Sequence, residues 1–113
     1  MSQITTHVLD ISLGRPAANV HVILEARGAN GDWTLVGRGS TDGDGRLKDL
    51  AAGKALNPGA HRLTFDTGAY FALHKIEALY PQVIIVFRVR DSRDHYHIPL
   101  LLSPYGYSTY RGS

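Results

Sequence analysis

The feature that most constrains this chain is a run of short apolar segments, each closed by turn-forming residues at intervals of roughly 8 to 12 residues. Thr5 to Ile11 is a strand-forming segment that stops at Gly14-Arg15-Pro16, where Pro16 has no N–H to give a ladder. Asn19 to Ala26 alternates Val20, Val22 and Leu24 against His21, Ile23 and Glu25, and Arg27 to Asp32 is turn-rich. Trp33 to Ser40 follows as a further strand, closed by Thr41-Asp42-Gly43-Asp44-Gly45-Arg46. Leu47 to Leu50 is a short, weak strand, and Ala51 to Pro58 reads as irregular connection. Gly59 to Asp66 alternates again, with His61, Leu63 and Phe65 on one side.

Between Thr67 and Leu79 the period changes to that of a helix of one to three turns, ended by Pro81. Gln82 to Arg90 contains the β-branched run Val83-Ile84-Ile85-Val86-Phe87, expected to be a strand buried on both faces. Asp91-Ser92-Arg93-Asp94 turns the chain into its last stretch, His95 to Ser113. There His95 and His97 share one face, and Tyr96, Ile98, Leu100 and Leu102 share the other. Ser103-Pro104-Tyr105-Gly106 has turn chemistry, and a return strand follows. About eight short strands and one brief helix describe an all-β fold, an antiparallel β-sandwich. The 113 residues make one domain, spanning 1–113.

Composition narrows the function classes. A formal charge of +2, with Lys and Arg scattered among acids, does not supply the basic stripe that nucleic acid requires. The sequence has no cysteine, which removes disulfides, thiolate metal sites and cysteine nucleophiles. No stretch approaches the roughly 20 apolar residues of a membrane helix, and the start lacks the basic and apolar regions of a signal peptide. The expected setting is the cytoplasm, with no membrane partner.

Four constellations carry possible chemistry. His95 and His97 at period two offer nitrogens to a metal, but a third ligand is required; His7 could serve, yet no carboxylate or cysteine spacing supports it. Acid-base use of His97 suits an imidazole better, since it is largely neutral at pH 7. Asp42-Gly43-Asp44-Gly45 starts like a calcium loop, yet Arg46 stands at the next ligand position and Gly53 where the closing Glu belongs. The segment is either a plain glycine turn or a turn that aims Arg46 into a pocket as a fixed cation. Gly106-Tyr107-Ser108 lacks the closing glycine of a nucleophile elbow, and Gly53-Lys54-Ala55 is no phosphate loop. His21, His61 and His74 are expected at the surface without a role.

Thr6-His7-Val8-Leu9-Asp10 with Gly14-Arg15-Pro16-Ala17, the turn Thr41 to Arg46, His97 within His95 to Ser103, and the ending Tyr110-Arg111-Gly112-Ser113 resemble the transthyretin-like 5-hydroxyisourate hydrolases. The resemblance covers nearly the whole chain, and the ending is its most specific part, distinguishing hydrolases from hormone-carrying transthyretins. It implies a transthyretin-like eight-stranded sandwich and hydrolysis of 5-hydroxyisourate, the product of urate oxidation. The product implied is 2-oxo-4-hydroxy-4-carboxy-5-ureidoimidazoline, on the route to allantoin. It implies no cofactor and no metal. It further implies that His7, Arg46 and His97 are catalytic and that His7, Arg46, Tyr110 and Ser113 bind substrate. A homotetramer of two dimers, with active sites where the dimers face each other, completes what it implies. A small-ligand carrier and an adhesive β-module are the competing classes on this fold.

Overall fold

The computed structural model describes residues 3–113. Two sheets share one core. The first holds β1 (Ile4–Asp10), β2 (Arg15–Pro16), β5 (Arg46–Leu47), β8 (Tyr96–Ser103) and β9 (Gly106–Thr109). The second, in the order β4-β3-β6-β7, holds β3 (His21–Arg27), β4 (Trp33–Ser40), β6 (Gly59–Phe65) and β7 (Val83–Val89). Inward residues from both sheets, among them Ile4, Val8, Leu24, Leu63, Phe65, Val83, Leu100 and Leu102, form a continuous buried cluster. Among the described residues no helix is long and apolar enough to cross a membrane.

The expected sandwich and its strands are present, with differences that have physical causes. β1 and β8 run parallel, with Thr5 opposite His97 and His7 opposite Pro99, while the other strand pairs are antiparallel. Two-residue strands β2 and β5 share the free edge of β1, β5 against Thr6 and His7 at its middle and β2 against Leu9 and Asp10 at its end, and the weak strand expected at Leu47 to Leu50 is only Arg46–Leu47. The helix α1 (Thr67–Leu73) is capped by Asp66, whose carboxylate accepts from the Ala69 N–H at 3.3 Å. It ends well before Pro81, at a reversal where Lys75 has φ +57.

β7 is not buried on both faces. Val83 and Val89 point inward, but Ile84 and Val86 are 44% and 61% exposed. A sheet in a two-layer sandwich has only one inner face, and β7 is moreover an edge strand. His61 is also misplaced by the surface expectation, for it is 2% exposed. It shares the core face of β6 with Leu63 and Phe65, and its Nδ1 lies 3.1 Å from the Gly59 carbonyl oxygen that satisfies it. His21 and His74 are exposed, as expected.

Two polar residues sit among the inward positions of β1, each for a stated reason. Thr6 Oγ1 donates to the Ile98 carbonyl at 2.6 Å and so ties β1 to β8. Asp10, fully buried, accepts from Tyr70 Oη of α1 at 2.7 Å and from the Ser12 hydroxyl and the Ser12 and Leu13 backbone N–H groups. That carboxylate joins the helix to the first sheet.

Candidate active site

The Thr41 to Arg46 segment forms a tight loop closed by its own carboxylate. Asp42 Oδ1 accepts from the backbone N–H of Asp44 at 2.9 Å and of Arg46 at 3.0 Å. Those bonds, that from Arg46 foremost, hold the Asp42 carboxyl below its ordinary value. Gly45 has φ +75, and a Cβ there would stand 2.3 Å from the Val8 carbonyl oxygen. This close approach lets the Val8 N–H donate to Gly45 O at 2.7 Å and sets Arg46 opposite His7 across the β1/β5 pair. Of the two readings left open for the turn, the structure supports the one in which it delivers Arg46 to a cleft.

That cleft, about 390 Å³, is lined by Thr5, Thr6, Arg46, Lys48, His95, His97, Gly112 and Ser113. It lies on the outer face of the first sheet, where Thr5 of β1, His97 of β8 and His95 just before β8 project away from the core. Thr5 Oγ1 is 2.8 Å from His97 Nδ1 and 2.9 Å from His95 Nε2. Partial burial, then the charges of Arg46, His7 and His95, hold the His97 imidazole below its ordinary pKa, so it is neutral at pH 7. Among the described residues no carboxylate pairs with the Arg46 guanidinium, which leaves it free for a negatively charged or carbonyl oxygen.

The tail forms one wall of the cleft. Past β9 the chain returns to β8 at a single bridge, where the Gly112 N–H donates to His97 O at 2.7 Å. Arg111 anchors it, with Nη2 3.2 Å from His95 O and the guanidinium 4.6 Å above the Tyr96 ring. Gly112 and Ser113 thereby line the cleft beside His97.

Of the residues expected in the site, Arg46, His97 and Ser113 are brought together. His7 stands next to them on the same face of β1 as Thr5, and its Nε2–H donates to Asp44 O at 2.9 Å. Tyr110 is 55% exposed and outside the lining of the cleft in the single chain. Thr5 and Lys48 line the cleft without having been singled out, and His95, considered only as a metal ligand, lines it too. The period-two alternation that pairs Thr5 with His7 was a usable signal, but the pairing of β1 with β8 was not visible in sequence. Among the described residues no group of three or more His, Asp or Glu side chains is arranged to hold a metal ion.

The profile of the HIUase/Transthyretin family matches residues 4–112. The chain belongs to that family. Within it, the chain is 47% identical over 110 residues to the 5-hydroxyisourate hydrolase of Salmonella dublin, covering 97% of this chain and 80% of that protein. The structure of Klebsiella pneumoniae 5-hydroxyisourate hydrolase superposes with a TM-score of 0.87 at 38% identity, covering 100% of both chains. Sea bream transthyretin in complex with thyroxine gives a TM-score of 0.92 at 30% identity, covering 97% of this chain and 94% of that one. The HIUase/Transthyretin scaffold thus serves both a hydrolase and a thyroxine-binding protein, and the residues of the cleft must decide between them.

Proposed function

We infer that this chain is a 5-hydroxyisourate hydrolase, opening the ring of 5-hydroxyisourate to 2-oxo-4-hydroxy-4-carboxy-5-ureidoimidazoline in urate degradation. The observation that carries the reading is the convergence of a neutral, partly buried His97, an unpaired Arg46 and the Gly112-Ser113 tail in one cleft. A hormone carrier needs an apolar channel, whereas this cleft is built from imidazoles, cations and hydroxyls.

A ring amide is a poor electrophile, so water must lose a proton as it attacks and the developing oxyanion must be stabilised. His97 takes the proton. Arg46 binds a substrate oxygen with its planar fork and favours negative charge on it in the transition state. Ser113 positions substrate and water, and His7 orients a ring edge from the side of the Asp44 loop. Direct attack by water fits a site that offers no cysteine and no nucleophile elbow.

The working form is a homotetramer of two dimers. The open edges of β7 and β9, with Ile84, Val86, Tyr107 and Tyr110 exposed along them, support association. In that assembly Tyr110 completes a cleft from which it is absent in the single chain.

The test is to generate 5-hydroxyisourate from urate with urate oxidase and follow its absorbance. Adding this protein should speed the decay in proportion to its concentration. Decay at the spontaneous rate would refute the reading.

A further inference from the structure

The hydroxyl of Thr5 lies between two imidazoles, 2.8 Å from His97 Nδ1 and 2.9 Å from His95 Nε2. A hydroxyl has one proton to give and two lone pairs. Both ring nitrogens therefore cannot be bare, because only one of them can receive that proton. If Thr5 donates to His97, the neutral His97 carries its own proton on Nε2 and has no lone pair there. If instead His97 Nδ1–H donates to Thr5, the hydroxyl proton is released for His95 Nε2, and the neutral His97 is bare at Nε2.

The position of Nε2 decides which arrangement serves the cleft. A Cβ on Gly112 would stand 2.5 Å from His97 Cδ2 and 3.3 Å from Cγ, so the tail packs against the Cδ2–Cγ edge of the ring, and Nε2 is the next ring atom beyond Cδ2. Nδ1 is turned the other way, toward β1. The charged and titratable side chains acting on this ring are Arg46, His7 and His95, with the Lys48 side chain also in the cleft wall. All of them are basic. A carboxylate in the place of Thr5 would orient the ring equally well but would raise its pKa and charge it at pH 7. A hydroxyl orients it and leaves it neutral. The β-branched side chain is also stiff about χ1, which holds the oxygen in place.

We propose that Thr5 is a positioning residue that sets the tautomer of His97, through the directed chain His97 Nδ1–H to Thr5 Oγ1–H to His95 Nε2, leaving His97 Nε2 bare toward the cleft. This deepens the reading of His97 as the base and rests on it. When His97 takes a proton from water at Nε2, its Nδ1–H keeps the same acceptor, so no hydrogen bond has to rearrange.

The experiment is the long-range ¹H–¹⁵N spectrum of the intact protein at about pH 8, where histidines are neutral, with His97 assigned by its loss in His97→Asn. Wild type and Thr5→Ser should show His97 protonated on Nδ1, and folded Thr5→Val should shift it toward Nε2–H. In steady-state assays Thr5→Val should lower kcat about tenfold with KM within about twofold, and Thr5→Ser should recover most of the loss. A wild-type His97 protonated on Nε2 overturns the proposal, and that measurement needs no variant to fold. Retention of the Nδ1–H tautomer in Thr5→Val overturns it as well. If the protein opens no 5-hydroxyisourate, the functional reading falls, while the spectrum still decides the tautomer.

Discussion

Gly112 and His97 are packed so closely that any side chain on the glycine would displace the imidazole: an added Cβ would stand 2.5 Å from Cδ2 and 3.3 Å from Cγ. The same glycine bonds the His97 carbonyl at 2.7 Å. The tail is thus gauged against the proposed base itself. Gly112→Ala should lower kcat roughly tenfold or more, because a shift of about 1 Å in a catalytic group is costly, and leave the melting temperature nearly unchanged. Paired kinetic and thermal measurements check this.

Removing Tyr110 to Ser113 should abolish hydrolysis while leaving most of the fold. The four residues make one backbone bridge and contribute no buried side chain to the core. Circular dichroism and activity on one truncated sample give the answer, and full activity would show that the tail is dispensable.

His97→Asn should reduce turnover by roughly 10²- to 10⁴-fold. With the His97 pKa lowered first by burial and then by neighbouring charge, the acid limb of the wild-type rate should have its midpoint below the ordinary histidine value of 6.5. That limb should flatten in His97→Asn unless His7 substitutes as base. A chelator should leave the rate unchanged. Wild-type turnover in folded His97→Asn would remove His97 from the mechanism.

Arg46→Lys keeps the charge and loses the planar fork. If geometry as well as charge matters, kcat should fall by roughly tenfold or more while the fold is unaffected, since the Arg46 side chain is exposed and outside the core. Equal rates for arginine and lysine would reduce its role to simple electrostatics.

Asp10 joins β1 to α1, and its loss should be felt as stability. Burial pushes its carboxyl up, but hydrogen bonds from Ser12, Tyr70 and Leu13 outweigh this and hold it below 3.8. A depressed folded pKa contributes stability that is present above the unfolded value and lost as pH falls through the folded one. Asp10→Ala should cost about 2–4 kcal/mol in urea unfolding at neutral pH, and the gap from wild type should narrow below about pH 4. A constant gap across that range would mean the carboxylate charge contributes nothing.

Local pattern was legible in the sequence wherever it depends on neighbours in the chain. Alternation along β1, β3, β6 and β8 assigns faces, because successive side chains on a strand point to opposite sides. It placed His95 and His97 together, with Tyr96, Ile98, Leu100 and Leu102 inward, and the turn before Arg46 showed its chemistry in Asp42 and Gly45. The resemblance carried by the ending pointed to Ser113. Pairing between distant segments was decided only by tertiary structure. The parallel register of β1 with β8 joins Thr5 to His97 across most of the chain, and no local signal encodes it, because it follows from how two sheets bury their inner faces against each other. The same packing buried His61 at the end of a core-facing row and left Ile84 and Val86 at an open edge, although the polarity of the one and the β-branched run of the others suggested the reverse. A residue's face is a property of its strand, but whether that face meets the core, solvent or another strand is a property of the whole fold.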